Sequence, residues 1–130
     1  MGPVNWVAVV IAAALALGIS IAWFGTFTRK SGQLIPAKTE TRSNYILVGV
    51  LMLVSAAMFG HNFARIGAET LQAKPWLYFM QTGGIAIAFV IPAVWLVELR
   101  NRTEPMRRVI DCAFWLVAYL AMGLVFWVLG

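Results

Sequence analysis

A chain of 130 residues that is 62% hydrophobic and only 12% charged lacks the polar side chains needed to cover a globular surface in water. The composition excludes an ordinary soluble enzyme or nucleic-acid-binding domain, and the net charge of +5 reads as a basic face beside anionic lipid. One cysteine, Cys112, leaves no internal disulfide, and no Cys/His cluster has metal-site spacing.

Crossing about 30 Å of hydrocarbon takes roughly 20 apolar residues, and four runs qualify, at about 4–25, 45–64, 76–97 and 109–130. The expectation is one all-α domain over 1–130, an integral membrane protein of four transmembrane helices. The first run follows only "MGP", without the basic residues of a signal peptide, and is too long for a signal's apolar region, so it reads as a retained helix. Trp6 stands where myristoylation wants Ser or Thr. Within this run Ala14, Gly18 and Ala22 recur every four residues, a spacing that lets helix backbones approach closely in lipid, and Asn5 offers an interhelical hydrogen bond. The segment that follows, "TRKSGQLIPAKTETRSN", reads as a surface loop with a short interfacial turn at "QLIPAK".

The second run repeats the small-residue spacing with Ala56, Gly60 and Ala64 and ends in "FGHNFARIG", which holds the chain's single histidine. His61 is about 24 Å along the helix from Tyr45, at the outer edge of the hydrocarbon. His61, Arg65 and Glu69 follow at four-residue intervals and share one face if the helix continues, with Arg65 and Glu69 placed to pair. Three readings of His61 stand: a structural interfacial residue, part of a polar or lipid-headgroup site, and a haem or pigment ligand or proton relay.

The third run starts after Pro75, carries Gly84 and Ala88 at packing spacing, and is expected to kink at Pro92. Gln81 offers an interhelical hydrogen bond, while Glu98, with Arg100 and Arg102 beside it, reads as a solvated charge. The fourth run is expected to start a turn after Pro105, with Thr103 available as its cap. Asp111, three residues after Arg108, reads as a carboxylate held by the helix N-terminus and neighbouring arginines, with a coupling role as the alternative. Trp115, Tyr119 and Phe126 read as a lipid-facing surface, or else a patch for a partner or pigment. Trp6, Trp23, Trp76, Trp95 and Trp127 fall near run ends, as an aromatic belt requires.

Positive charge sets the orientation. Arg29, Lys30, Lys38 and Arg42 lie in the first connection and Arg100, Arg102, Arg107 and Arg108 in the third, against Arg65 and Lys74 in the second. The basic stretches 26–44 and 98–108 are therefore expected on the cytoplasmic side of a bacterial inner membrane. Both termini then lie outside, and the fold is an antiparallel up-down bundle.

The stretch "NWVAVVIAAALALGISIAWFG", with Asn5, Trp6, Trp23 and Gly25, resembles the opening of the bacterial membrane family called domain of unknown function 1761. The last run, "VIDCAFWLVAYLAMGLVFWVL", with Asp111, Trp115, Met122 and Gly123, is similar to that family's final helix. The resemblance implies four membrane helices and brings no activity with it.

No Ser/His/Asp arrangement, paired intramembrane carboxylates or phosphate-cradling loop is apparent, so a non-catalytic protein is expected. The first functional reading is association through the small-residue faces, as a homo-oligomer or as an accessory subunit of a larger membrane complex, with lipid as the other partner and no nucleic acid. The second is a small transporter or channel, with His61, Asp111, Asn5 and Gln81 facing one route. The third is haem or pigment binding at His61; otherwise no cofactor or metal is expected.

Overall fold

The structure, a computed structural model, describes residues 4–31 and 42–129, and no strand occurs among them. Helix α1 is Trp6–Ser31, α2 Arg42–Ile66, α3 Ala68–Ala73, α4 Trp76–Ile85, α5 Ile91–Arg100 and α6 Pro105–Leu129, and a π-helical turn at Ala86–Val90 joins α4 to α5. Four stretches are long and apolar enough to cross a membrane: Trp6–Trp23, Tyr45–Ile66, Trp76–Arg100 and Pro105–Leu129. The expected turn at "QLIPAK" lies outside the described residues.

Local chemistry sets the helix ends. Asn5 caps α1: its Oδ1 accepts the Ala8 amide at 3.1 Å, while its Nδ2 donates to the Leu129 carbonyl at 3.0 Å and ties the start of α1 to the end of α6. Gly67, at φ 94°, ends α2 in a conformation that costs side-chain-bearing residues far more. The short α3 occupies the second connection and buries Leu71. Helix α6 starts at Pro105 itself rather than a turn later, because proline's fixed φ and missing amide proton suit the first helical position. The Arg108 amide bonds the Glu104 carbonyl, so Glu104, not Thr103, flanks the helix.

The helices meet along small-residue faces, but not always the expected ones. Helix α1 packs on α2 and α6 through Ala8, Ala12 and Ala16, all fully buried. The row Ala14, Gly18 and Ala22 is exposed, since it lies two residues, about 200°, around from the buried row. On α2, Ala56 and Gly60 are buried and Ala64 partly so. A Cβ on Gly60 would stand 2.7 Å from Val9 Cγ2, closer than real contacts allow. On the third apolar stretch Gly84, Ala88 and Pro92 are exposed, and Thr82, Gly83 and Ala86 are buried instead. Thr82 faces Gly123 of α6, whose missing side chain lets α4 and α6 close together.

An aromatic core fills the end where the termini meet. Phe63 of α2 lies 5.1 Å, centroid to centroid, from Phe126 and 4.8 Å from Tyr78, and Phe59 meets Tyr119 edge-on at 5.1 Å. Tyr119 and Phe126 are thus buried, contrary to the lipid-facing expectation, and Trp115 is partly buried. The reason is that α6 is the central helix, in contact with α1 on one side and with α4, the π turn and α5 on another.

Candidate functional site

The polar residues singled out from the sequence do not gather into one route. Asn5 is a cap at the end where the termini meet, and Gln81 is partly exposed on α4. His61, Arg65 and Glu69 are all exposed. Gly67 breaks the helix between Arg65 and Glu69, so the three share no continuous helical face, and no ion pair joins Arg65 to Glu69 among the described residues. Asp111 is buried at the other end of the bundle.

At Asp111 a cluster does form. Arg107 Nε donates to both Asp111 carboxylate oxygens at 3.1 Å, one helical turn apart on α6. Arg107, not Arg108, is therefore the arginine that pairs with Asp111. Arg108 is held elsewhere, its Nε donating to the Thr103 carbonyl at 2.9 Å and its guanidinium 5.4 Å from the centroid of the Trp95 ring.

Glu98 completes the cluster, and this corrects two expectations. It is not a solvated charge, since it is partly buried and its Oε2 is shut off from solvent. Its carboxyl also lies within hydrogen-bonding reach of Asp111, so the chain does have a carboxylate pair at the end of its apolar helices. The α5–α6 turn brings the two together. The Thr103 amide bonds the Glu98 carbonyl at 2.9 Å and the Arg102 amide bonds the Leu99 carbonyl at 3.1 Å, a Schellman closure with Arg102 left-handed at φ 56°. Arg102 carries no glycine signal, which is why the turn was not legible in advance.

A cavity of about 250 Å³ opens beside the cluster. Ser20 of α1 and Val48, Leu51 and Met52 of α2 wall one side, and Val94 and Glu98 of α5 the other. Helix α6 closes it with Arg107, Asp111, Phe114 and Trp115. Its origin lies in the third apolar stretch. The Ile91 amide bonds the Ala86 carbonyl, five residues back, and Pro92 has no amide proton to give. Beyond that irregularity α5 buries none of its residues. It packs on α6 and, among the described residues, makes no comparable contact with α1 or α2. The cavity occupies the resulting gap.

Chemically, the site offers two carboxylates, one guanidinium already engaged by Asp111, a buried serine hydroxyl and aromatic and aliphatic walls. Among the described residues no group of three or more His, Cys, Asp and Glu side chains is placed to hold a metal ion. Cys112, buried next to Asp111, directs its Sγ toward the Ile91 carbonyl at 3.9 Å, a weak contact.

The class these features define, among the described residues, is an all-helical protein with four helices long and apolar enough to cross a membrane and a charged cavity at one end. The family model described as Protein of unknown function (DUF1761) matches residues 7–127, so the chain belongs to that family. Neither a curated protein nor a solved structure matches the chain.

Proposed function

We propose that this is an integral membrane protein that binds a small molecule in the Glu98–Arg107–Asp111 cavity, in the manner of a small transporter. The observation that carries this reading is a charged cluster inside a cavity between apolar helices. Ionisable groups in such a setting are costly, and proteins keep them where they contact a solute or one another. With the basic connections on the inside of a bacterial inner membrane, the cavity faces the cytoplasmic leaflet. No catalytic step is assigned to it. The test is a thermal-stability screen of the purified protein against cationic, anionic and neutral small solutes, repeated with Val94→Trp, which fills the cavity. Stabilisation by some solute class, lost in Val94→Trp, is expected. Absence of any stabilising solute, or stabilisation that persists in the filled variant, would sink the reading.

One observation favours association as a second reading. Ala14, Gly18 and Ala22 form an exposed row on α1, and a Cβ on Gly18 would meet nothing within 4 Å, so a helix from a second chain or an accessory partner has room to approach. Gly18→Ile would then shift the detergent-solubilised protein to a smaller size. Haem or pigment binding at exposed His61 is the weakest reading, and a visible absorption band that His61→Ala removes would revive it.

A further inference from the structure

Resting on the reading that the cavity takes a solute, we propose that α5 is a door hung along α6, turning at the Ala86–Val90 π turn so that its free edge closes toward α2 or opens to admit the solute. The frame of this door is fixed. Tyr78 of α4 lies in the aromatic core 4.8 Å from Phe63, and Thr82 is fully buried against Gly123. A Cβ on Gly83 would stand 3.1 Å from Leu120 Cδ2, so α4 has little room to shift on α6.

The pivot is the π turn. The Ile91 amide reaches five residues back to the Ala86 carbonyl, and Pro92 gives no amide proton, so the backbone ladder that stiffens a helix is interrupted where α4 passes to α5. Irregularities of this kind are where long helices bend. The leaf itself is loosely held. None of the α5 residues is buried, and only Ile91, Val94 and Glu98, which share one face, are partly covered. Helices in lipid associate by close packing, and the parts of a fold with few buried contacts are the first to move.

The seam with α6 carries polar contacts in place of interlocked side chains. Cys112 Sγ stands 3.9 Å from the Ile91 carbonyl, the Arg108 guanidinium lies 5.4 Å from the centroid of the Trp95 ring, and the carboxyls of Glu98 and Asp111 meet. Arg108, Asp111 and Cys112 lie within about one turn of α6. Both ends of α5 are also carried by that helix, since the π turn packs on it and residues 101–104 lead directly into it. The hinge line therefore runs along α6. Motion about it carries Val94 and Glu98 toward or away from Met52 and Ser20, across the cavity.

The test is pulsed electron–electron distance measurement on the full chain in bilayer discs, with nitroxide labels on paired cysteines in a Cys112→Ser background, which keeps a donor for the Ile91 carbonyl. Leu47→Cys with Leu96→Cys reports α2 against α5, and Met58→Cys with Met80→Cys reports α2 against α4; all four side chains are exposed. A narrow α2–α4 distribution is expected. The α2–α5 distribution is expected to be wider by up to about 6 Å, the edge of a cube of about 250 Å³. Val94→Trp, which wedges the cavity, removes the shorter distances. Deleting Ile87 together with Pro92→Ala makes the stretch regular without turning Glu98, and it narrows the α2–α5 distribution to the width of the α2–α4 one. Pro92→Ala alone, used if the combined variant does not fold, narrows it in part. Equal widths for the two pairs in the parent, shorter distances that persist in Val94→Trp, or an undiminished width once the stretch is regular would overturn the door. A motionless α5 in a chain that some solute class still stabilises would leave the cavity reading standing, and a moving α5 in a chain that no solute stabilises would uphold the hinge while sinking the cavity reading.

Discussion

Gly123→Ala tests whether close approach of α4 and α6 holds the bundle together. A Cβ at Gly123 would stand 2.6 Å from Thr82 Oγ1, 3.2 Å from Thr82 Cγ2 and 3.1 Å from the Tyr78 carbonyl oxygen. Thr82 is fully buried, and its hydroxyl donates to that same carbonyl at 2.9 Å, so it cannot turn aside without stranding a polar group. Overpacking of this kind costs about 1–3 kcal/mol, against which the better helix propensity of alanine returns up to about 1 kcal/mol. The net expectation is a loss of about 1–2 kcal/mol, read from reversible unfolding in mixed micelles titrated with a denaturing detergent. Gly84→Ala is the matched control, because a Cβ there meets nothing within 4 Å, and it is expected to be neutral or slightly stabilising. Placing Gly123→Ala in a Thr82→Ala background removes two of the three clashes and should return part of the loss. Equal stability of the Gly123 and Gly84 variants, or an undiminished cost in the Thr82→Ala background, would refute the reasoning.

Three further outcomes are expected in the same titration. Arg102→Gly gains about 0.5–1 kcal/mol by relieving the left-handed backbone of the α5–α6 turn, and a loss of stability would mean that the arginine side chain matters more than its φ. Asn5→Ala loses about 1 kcal/mol, because the variant can neither cap α1 nor donate to the Leu129 carbonyl; an unchanged midpoint would show that water or detergent replaces both bonds. His61→Ala stays within about 0.5 kcal/mol of the parent, as an exposed residue with no packing role does, and a larger change would place His61 in a contact not seen in the monomer.

The four membrane-length helices were legible because lipid imposes a length of apolar sequence that little else requires. Which face of each helix turns inward was not. In α1, Ala8, Ala12 and Ala16 have the same spacing and chemistry as Ala14 and its companions, and only the neighbouring helices choose between them. In water a polar stripe would have marked the outward face, but a helix that is apolar all round carries no such mark. The carboxylate pair was hidden for a different reason. Glu98 and Asp111 sit on separate helices, and they meet through a left-handed residue, Arg102, at a position where sequence reading looks for glycine. On α2 the opposite happened: Gly67 was present to be read, and its break separates Glu69 from the face that carries His61 and Arg65.

The π turn at Ala86–Val90 also acts as a phase shifter in the third apolar stretch. One residue more than a regular helix needs is wound into it, and a residue corresponds to about 100° of rotation. Straightening the turn into a regular α-helix at unchanged chain length would leave Tyr78 and Thr82 where they are but swing every side chain beyond the turn by about that angle, carrying Glu98 off Asp111, whereas deleting one residue between positions 86 and 90 removes the surplus and keeps Glu98 in place. The stretch thus holds two angular settings at once, one that seats α4 against Gly123 and one that aims α5 at the cavity, and a perfectly regular helix of the same chain length satisfies only the first.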